Sequence, residues 1–133
     1  MTLLLLVLST VAQAGDQLAG MTIGGAVPVV TGWTTTSEGS LARRGKFAGL
    51  DGTVEVRTCT DNALVRAVTF STDRDVFDAL LDAHREDAWS ASKGEALFPG
   101  TRSAILQKGG VTRTLTGNGS VTSITTRDDR VCR

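Results

Sequence analysis

Tyrosine is absent from this 133-residue chain, histidine occurs once, and proline and cysteine occur twice each. With two Trp and four Phe as the only aromatics, the core has to be built mainly from Val, Leu, Ile and Ala. Two cysteines without a C-x-x-C spacing cannot make a zinc site by themselves. There is no excess of either charge, since 14 Lys and Arg balance 14 Asp and Glu. Without a basic field, wholesale binding of nucleic acid or of an anionic membrane is not expected. The sequence carries no G-x-S-x-G elbow, no H-E-x-x-H pair and no Walker lysine, and no cofactor or metal is expected from it. Paired carboxylates stand no higher than background, and the aspartates at 73, 75 and 78 lack the turn glycine and closing Glu of a calcium loop.

What is present begins with an apolar start. Leu3 to Leu8 are followed by Ala12-Gln13-Ala14, an A-x-A cleavage pattern, although no Lys or Arg precedes the leucines. The run is shorter than the about 20 residues that span a bilayer. Residues 1–14 therefore read as a signal peptide that is removed, leaving 15–133 as a single domain that is secreted or periplasmic. A buried first strand is the alternative. No Cys stands where a lipoprotein would need one, so no membrane anchor is expected. In an exported chain Cys59 and Cys132 pair as one disulfide, with two buried free thiols as the alternative.

Periodicity divides the rest into two similar halves. Residues 34–45 are polar and rich in Gly, Ser and Thr, and read as a surface loop. Asp51-Gly52 and Asp61-Asn62 read as turns bounding three strands, and Gly109-Gly110 and Gly117-Asn118-Gly119 as turns bounding three more. Between them Val76, Phe77, Leu80, Leu81, His84, Ala88 and Ala91 recur at helical spacing. Thr72 or Asp73 would cap this helix and Gly94 would end it. The expected fold class is α+β: an antiparallel sheet of about six strands packed by one long helix, in two degenerate units of a lead-in followed by β-β-β.

The opening of the first unit, "GMTIGGAVPVVTGW" (20–33), lacks the spacing and the lysine of a phosphate loop. Pro28 disfavours helical geometry at Val27. The stretch reads as an interrupted apolar segment covering one edge of the core, with Trp33 closing it. Gly20-Met21-Thr22, with Val27 and Gly32 after it, resembles the lead-in of small outer-membrane assembly lipoproteins of the BamE/SmpA type. The order of elements is similar to the tandem repeats of β-lactamase-inhibitor proteins. The chain departs from the former at Gly24, Gly25 and Pro28 and in lacking a lipidation Cys. The resemblance implies envelope assembly or inhibitor-like binding, and it transfers no functional residues.

Few side chains are candidates for a site. His84 is the one possible imidazole base, on or beside an apolar helix face. Trp89 is either core or rim packing or an exposed anchor for a partner. Trp33 is a second aromatic candidate. Arg43 and Arg44 head the densest cationic cluster, which reads as an anion site or as a solvated loop. The function expected from these features is a non-catalytic protein-interaction or inhibitor-like module with an unknown protein partner. The alternatives are a small hydrolase using His84 or a small-ligand carrier with a cleft beside the helix.

Overall fold

Alternation of apolar and hydroxyl-bearing residues builds most of this molecule. In Val111–Gly117, for example, Val111, Arg113 and Leu115 point one way and Thr112, Thr114 and Thr116 the other. The computed structural model describes residues 16–96 and 98–132. The expected signal segment 1–14 lies outside the described residues.

In chain order the elements are β1 (Gln17–Leu18), β2 (Met21–Thr22), β3 (Thr34–Thr35), β4 (Leu41–Phe47), β5 (Leu50–Thr58), β6 (Val65–Thr72), α1 (Phe77–Glu86), β7 (Ser90–Lys93), β8 (Arg102–Lys108), β9 (Val111–Gly117) and β10 (Thr122–Arg127), with a 3-10 turn at Asp129–Val131. β1 and β2 form a two-stranded hairpin, and the other eight strands form one antiparallel sheet ordered β3-β4-β5-β6-β10-β9-β8-β7. The order is symmetric about the β6–β10 seam: each half of the chain contributes a four-strand meander.

One face of this sheet holds the core. Val54, Val56, Val68, Phe70, Ile124, Leu115 and Leu106 are buried on it. α1 packs over β7 and β9, and the β1–β2 hairpin packs over β6. Along the β6–β10 seam the opposite face carries small polar side chains. There the hydroxyls of Thr69 and Thr125 bond across the seam at 2.8 Å, and those of Ser71 and Ser123 at 2.9 Å.

This architecture corrects the expected one. The main sheet has eight strands where about six were expected, and the helix has 10 residues where a long one was expected. The additional strands come from segments whose composition suggested something else. Residues 34–45, read as a surface loop, supply β3 and much of β4. β7 comes from the second half of the expected helix. That helix ends early because Ala88 turns into the left-handed region at φ 64°. Trp89 N–H then bonds the His84 carbonyl at 2.9 Å and Ala88 N–H bonds that of Arg85 at 3.2 Å, the paired bonds of a Schellman ending. Neither Thr72 nor Asp73 caps the start. Thr72 belongs to β6 and donates its hydroxyl hydrogen to the Asp51 carbonyl. The first turn is held from β10, where Thr122 Oγ1 accepts from Val76 N–H at 3.1 Å and donates to the Arg74 carbonyl at 2.8 Å.

The β4–β5 turn is also displaced from its expected place. It falls at Ala48-Gly49, both with positive φ, while Asp51-Gly52 lies inside β5. Gly52 is needed there for close approach: a Cβ would sit 2.7 Å from Phe70 Cζ and collide with the Ser71 carbonyl. The segment 20–33 covers the core edge as an irregular strip. Met21 and Ile23 are buried, Gly24 and Gly25 exchange backbone bonds with Val65, and Val29 and Val30 are exposed.

Candidate partner-binding groove

The lone histidine is buried and engaged on both sides. His84 is fully buried on α1. Its Nδ1 lies 2.7 Å from the Leu80 carbonyl and its Nε2 2.9 Å from Arg113 Nη1 on β9. A guanidinium can only donate, so Nε2 accepts and Nδ1 carries the hydrogen given to Leu80. The ring is neutral, with no nitrogen left for chemistry. Arg113 is held in turn by Asp16, through Nε to Oδ2 at 2.9 Å and Nη2 to Oδ1 at 2.7 Å, and it also donates to the Gln17 carbonyl. Trp89 covers this assembly: its ring is 5.4 Å from His84 edge-on and 4.4 Å from the Arg113 guanidinium. Trp89 is 8% exposed. Of its two expected roles, the packing one fits, and the exposed-anchor role is corrected.

Burial, the largest effect, pushes the His84 pKa below its ordinary 6.5, and the Arg113 charge adds to this against the raising effect of the Leu80 carbonyl. The unfolded chain then binds the extra proton first. The stabilisation is complete above about pH 6.5 and is lost as pH falls from there towards the lowered folded value. Urea denaturation between pH 7 and 5 is expected to show stability falling by up to about 1.4 kcal/mol per pH unit. His84→Gln should flatten that slope, and an equal slope in the variant would remove His84 as its source.

The other candidates lie at the far edge of the sheet. Trp33 is half-buried, donates its indole N–H to the Pro28 carbonyl at 3.2 Å and has the Arg43 guanidinium 5.6 Å from its ring centre. Arg43 Nε is buried without a hydrogen-bond acceptor among the described residues. Arg44 is exposed on β4 and reaches the Thr53 hydroxyl at 3.4 Å. Trp33 and Arg43 thus come together, and among the described residues no hydrogen bond or ring contact joins either to His84 or Trp89. Cys59 and Cys132 form a disulfide.

A groove with a largely apolar floor lies elsewhere. α1, β7 and the start of β8 enclose a groove of about 490 Å³. Phe77, Leu81, Ala91 and Ala104 supply apolar surface, and Arg85, Lys93 and Arg102 supply charge. Gly94 lets β7 close against β8, since a Cβ there would be 2.9 Å from that of Ser103. It is a packing glycine, not the helix terminator expected. Arg102 lies over the Phe77 ring at 4.3 Å and pairs with Asp78 at 2.8 Å, which holds the Asp78 carboxyl below its usual range. Arg85 reaches Asp82 only at 4.0 Å, and Lys93 has no ion pair among the described residues. Gly94, Ala96 and Thr101 of the 94–101 loop line the same groove. That loop also carries Phe98, which is 70% exposed.

The sequence reading missed Arg113, Asp16, Lys93 and Phe98. Arg113 had a readable signal, a charge in the inward rank of an alternating strand. Asp16 had none, being 97 residues from its partner. Phe98 had a weak one, an aromatic beside Pro99-Gly100 in a segment otherwise read as loop. Among the described residues no three His, Cys, Asp or Glu side chains cluster to hold a metal ion, and no helix is long and apolar enough to cross a membrane. Comparison of the chain with protein-family models, curated proteins and solved structures found no match.

Proposed function

We propose that this chain is a non-catalytic binding module that holds a protein partner in the groove between α1 and the β7–β8 edge. The observation carrying this reading is an apolar floor beside Lys93, which has no ion pair among the described residues, bordered by the loop that carries the exposed Phe98. Aromatic side chains that become buried in apolar pockets are among the anchors that carry the energy of protein interfaces. The hydrolase reading loses its base, because both ring nitrogens of His84 are already bonded inside the core. The disulfide agrees with an oxidising, exported compartment, and we place the module outside the cytoplasm, secreted or periplasmic. Inhibitor-like binding belongs to the same class of role.

The test is site-specific photo-crosslinking in the producing cells. A photoreactive side chain at Phe98 or Leu81 should give the same discrete protein adduct. One at Thr114, on the open hydroxyl face, should not. Adducts that are absent from the groove positions, or identical at all three, would contradict the proposal.

A further inference from the structure

The groove runs beside a sheet edge whose backbone is available for pairing. β7 is the last strand of the sheet and pairs only with β8, in the register Ser90↔Gln107 to Lys93↔Ala104. Gly94 N–H bonds the Ser103 carbonyl at 2.8 Å, which continues that register. Hydrogen-bonded pairs alternate along an antiparallel ladder. The bonded pairs are therefore 94/103, 92/105 and 90/107. The N–H and C=O groups of Ala91 and Lys93 consequently point away from β8, and no described backbone group outside the sheet bonds them. The opposite edge is weaker as a template, since β3 has two residues.

Side chains add selectivity to this backbone. Ala91 and Lys93 are opposite Leu106 and Ala104, both buried, so they lie on the core-side face of the sheet. A strand added to β7 would place its own alternate side chains on that face, beside α1. The residue opposite Ala91 would meet Leu81 and the apolar floor. The residue opposite Lys93, two positions along, would meet an ammonium with no carboxylate partner among the described residues. Neither a lipid nor a small aromatic would use two outward-facing peptide groups 2 residues apart.

The geometry points to strand addition: the groove takes an extended segment of a partner protein as a ninth strand on β7, with an apolar residue and an acidic residue separated by one position. This rests on the groove being the binding site, as proposed above. It follows the logic by which main-chain bonds give affinity and alternate side chains give choice of partner.

Two synthetic seven-residue peptides test it against the full chain by fluorescence anisotropy. Both have Thr at odd positions, and the even positions read Leu, Val, Asp in one and Leu, Val, Lys in the other. The acidic peptide should bind saturably and at least tenfold more tightly than the basic one, and Lys93→Glu should reverse that preference. N-methylation of the peptide amides facing β7 should abolish binding, while methylation of the alternate amides should not. This control changes only the peptide, so it is independent of folding. Ala91→Pro, which removes an outward donor and no ladder bond, should weaken binding at least tenfold. Binding indifferent to N-methylation would overturn strand addition while leaving the groove, with its Phe98 and Leu81 adducts, as a site. No peptide binding and no groove adducts would overturn both. Dimerisation through β7, seen by sedimentation and lost in Ala91→Pro, would make a second copy the occupant and overturn the proposal.

Discussion

Arg113→Met is expected to destabilise the fold by about 3–5 kcal/mol, the cost of breaking a buried ion pair from one side. The guanidinium does three things at once. It neutralises the Asp16 carboxylate, whose side chain is 9% exposed, it donates to His84 Nε2, and it fills the space under Trp89. Methionine would roughly fill the space but leave a carboxylate and an imidazole nitrogen in apolar surroundings. Against a typical stability of about 5–15 kcal/mol, the loss would be visible as a large fall in the urea midpoint. Asp16→Asn should cost less, because it removes the charge and keeps an acceptor. The double variant should recover part of the loss, because nothing charged then remains buried. Additive losses in the double variant would mean that the two residues act separately. Arg102→Ala is the control, since its pair with Asp78 is on the surface, where ion pairs contribute little.

This ion pair also explains how the first described residues are kept on the domain. β1 and β2 are two residues each and make few ladder bonds. Burial of Leu18, Met21 and Ile23 holds the hairpin on the sheet, and Asp16 fixes its position through Arg113 on β9. Loss of Arg113 should therefore increase amide exchange in residues 16–23 before it does so in β6 or β10. An equal, simultaneous rise everywhere would mean that the hairpin has no separate opening.

How much of this was legible in the residues depended on the range of the interaction. Alternation is local, so the runs in β5, β6, β8, β9 and β10 were readable from their own residues, as was the Gly109-Gly110 turn, both of whose glycines have positive φ. The edges were not. β3 has two residues and β7 has four, too short for a period-2 pattern to show, and Ala91 happened to continue the helical spacing of α1. The helix start was misread because its donor is satisfied by Thr122, 46 residues away, where a neighbouring Thr or Asp was expected. Asp51-Gly52 was misread as a turn because glycine permits both a turn and a crowded strand. Only the Phe70 ring and the Ser71 carbonyl across the sheet distinguish the two. The site followed the same rule. His84 and Trp89 were singled out as ligand or partner candidates, and only their contacts with the long-range partner Arg113 show how they are packed inside the domain. The groove is assembled from α1, β7 and β8, and no one segment displays it.

Replacing both Cys59 and Cys132 with Ala should cost about 2–5 kcal/mol. The bond joins positions 73 residues apart with Cα atoms 5.4 Å apart. In the chain-entropy account a loop of that length removes about 4–5 kcal/mol of freedom from the unfolded chain. The folded side of the balance should change less. The tail keeps its own attachments: Asn62 donates to the Val131 carbonyl at 3.0 Å, Asp128 N–H bonds the Arg66 carbonyl at 2.9 Å, and Arg66 lies 3.5 Å from Asp129. The double variant should therefore keep the native circular dichroism and lose stability mainly through its denatured state. That predicts a larger denaturant slope as well as a lower midpoint, because an uncrosslinked chain exposes more surface when it unfolds. Single replacements should be worse than the double one. Each leaves one thiol, buried at Cys59 and free to pair between chains at Cys132. An unchanged slope with a collapsed native spectrum would place the effect in the folded state, and a free-thiol mass in oxidised protein would remove the bond from the account altogether.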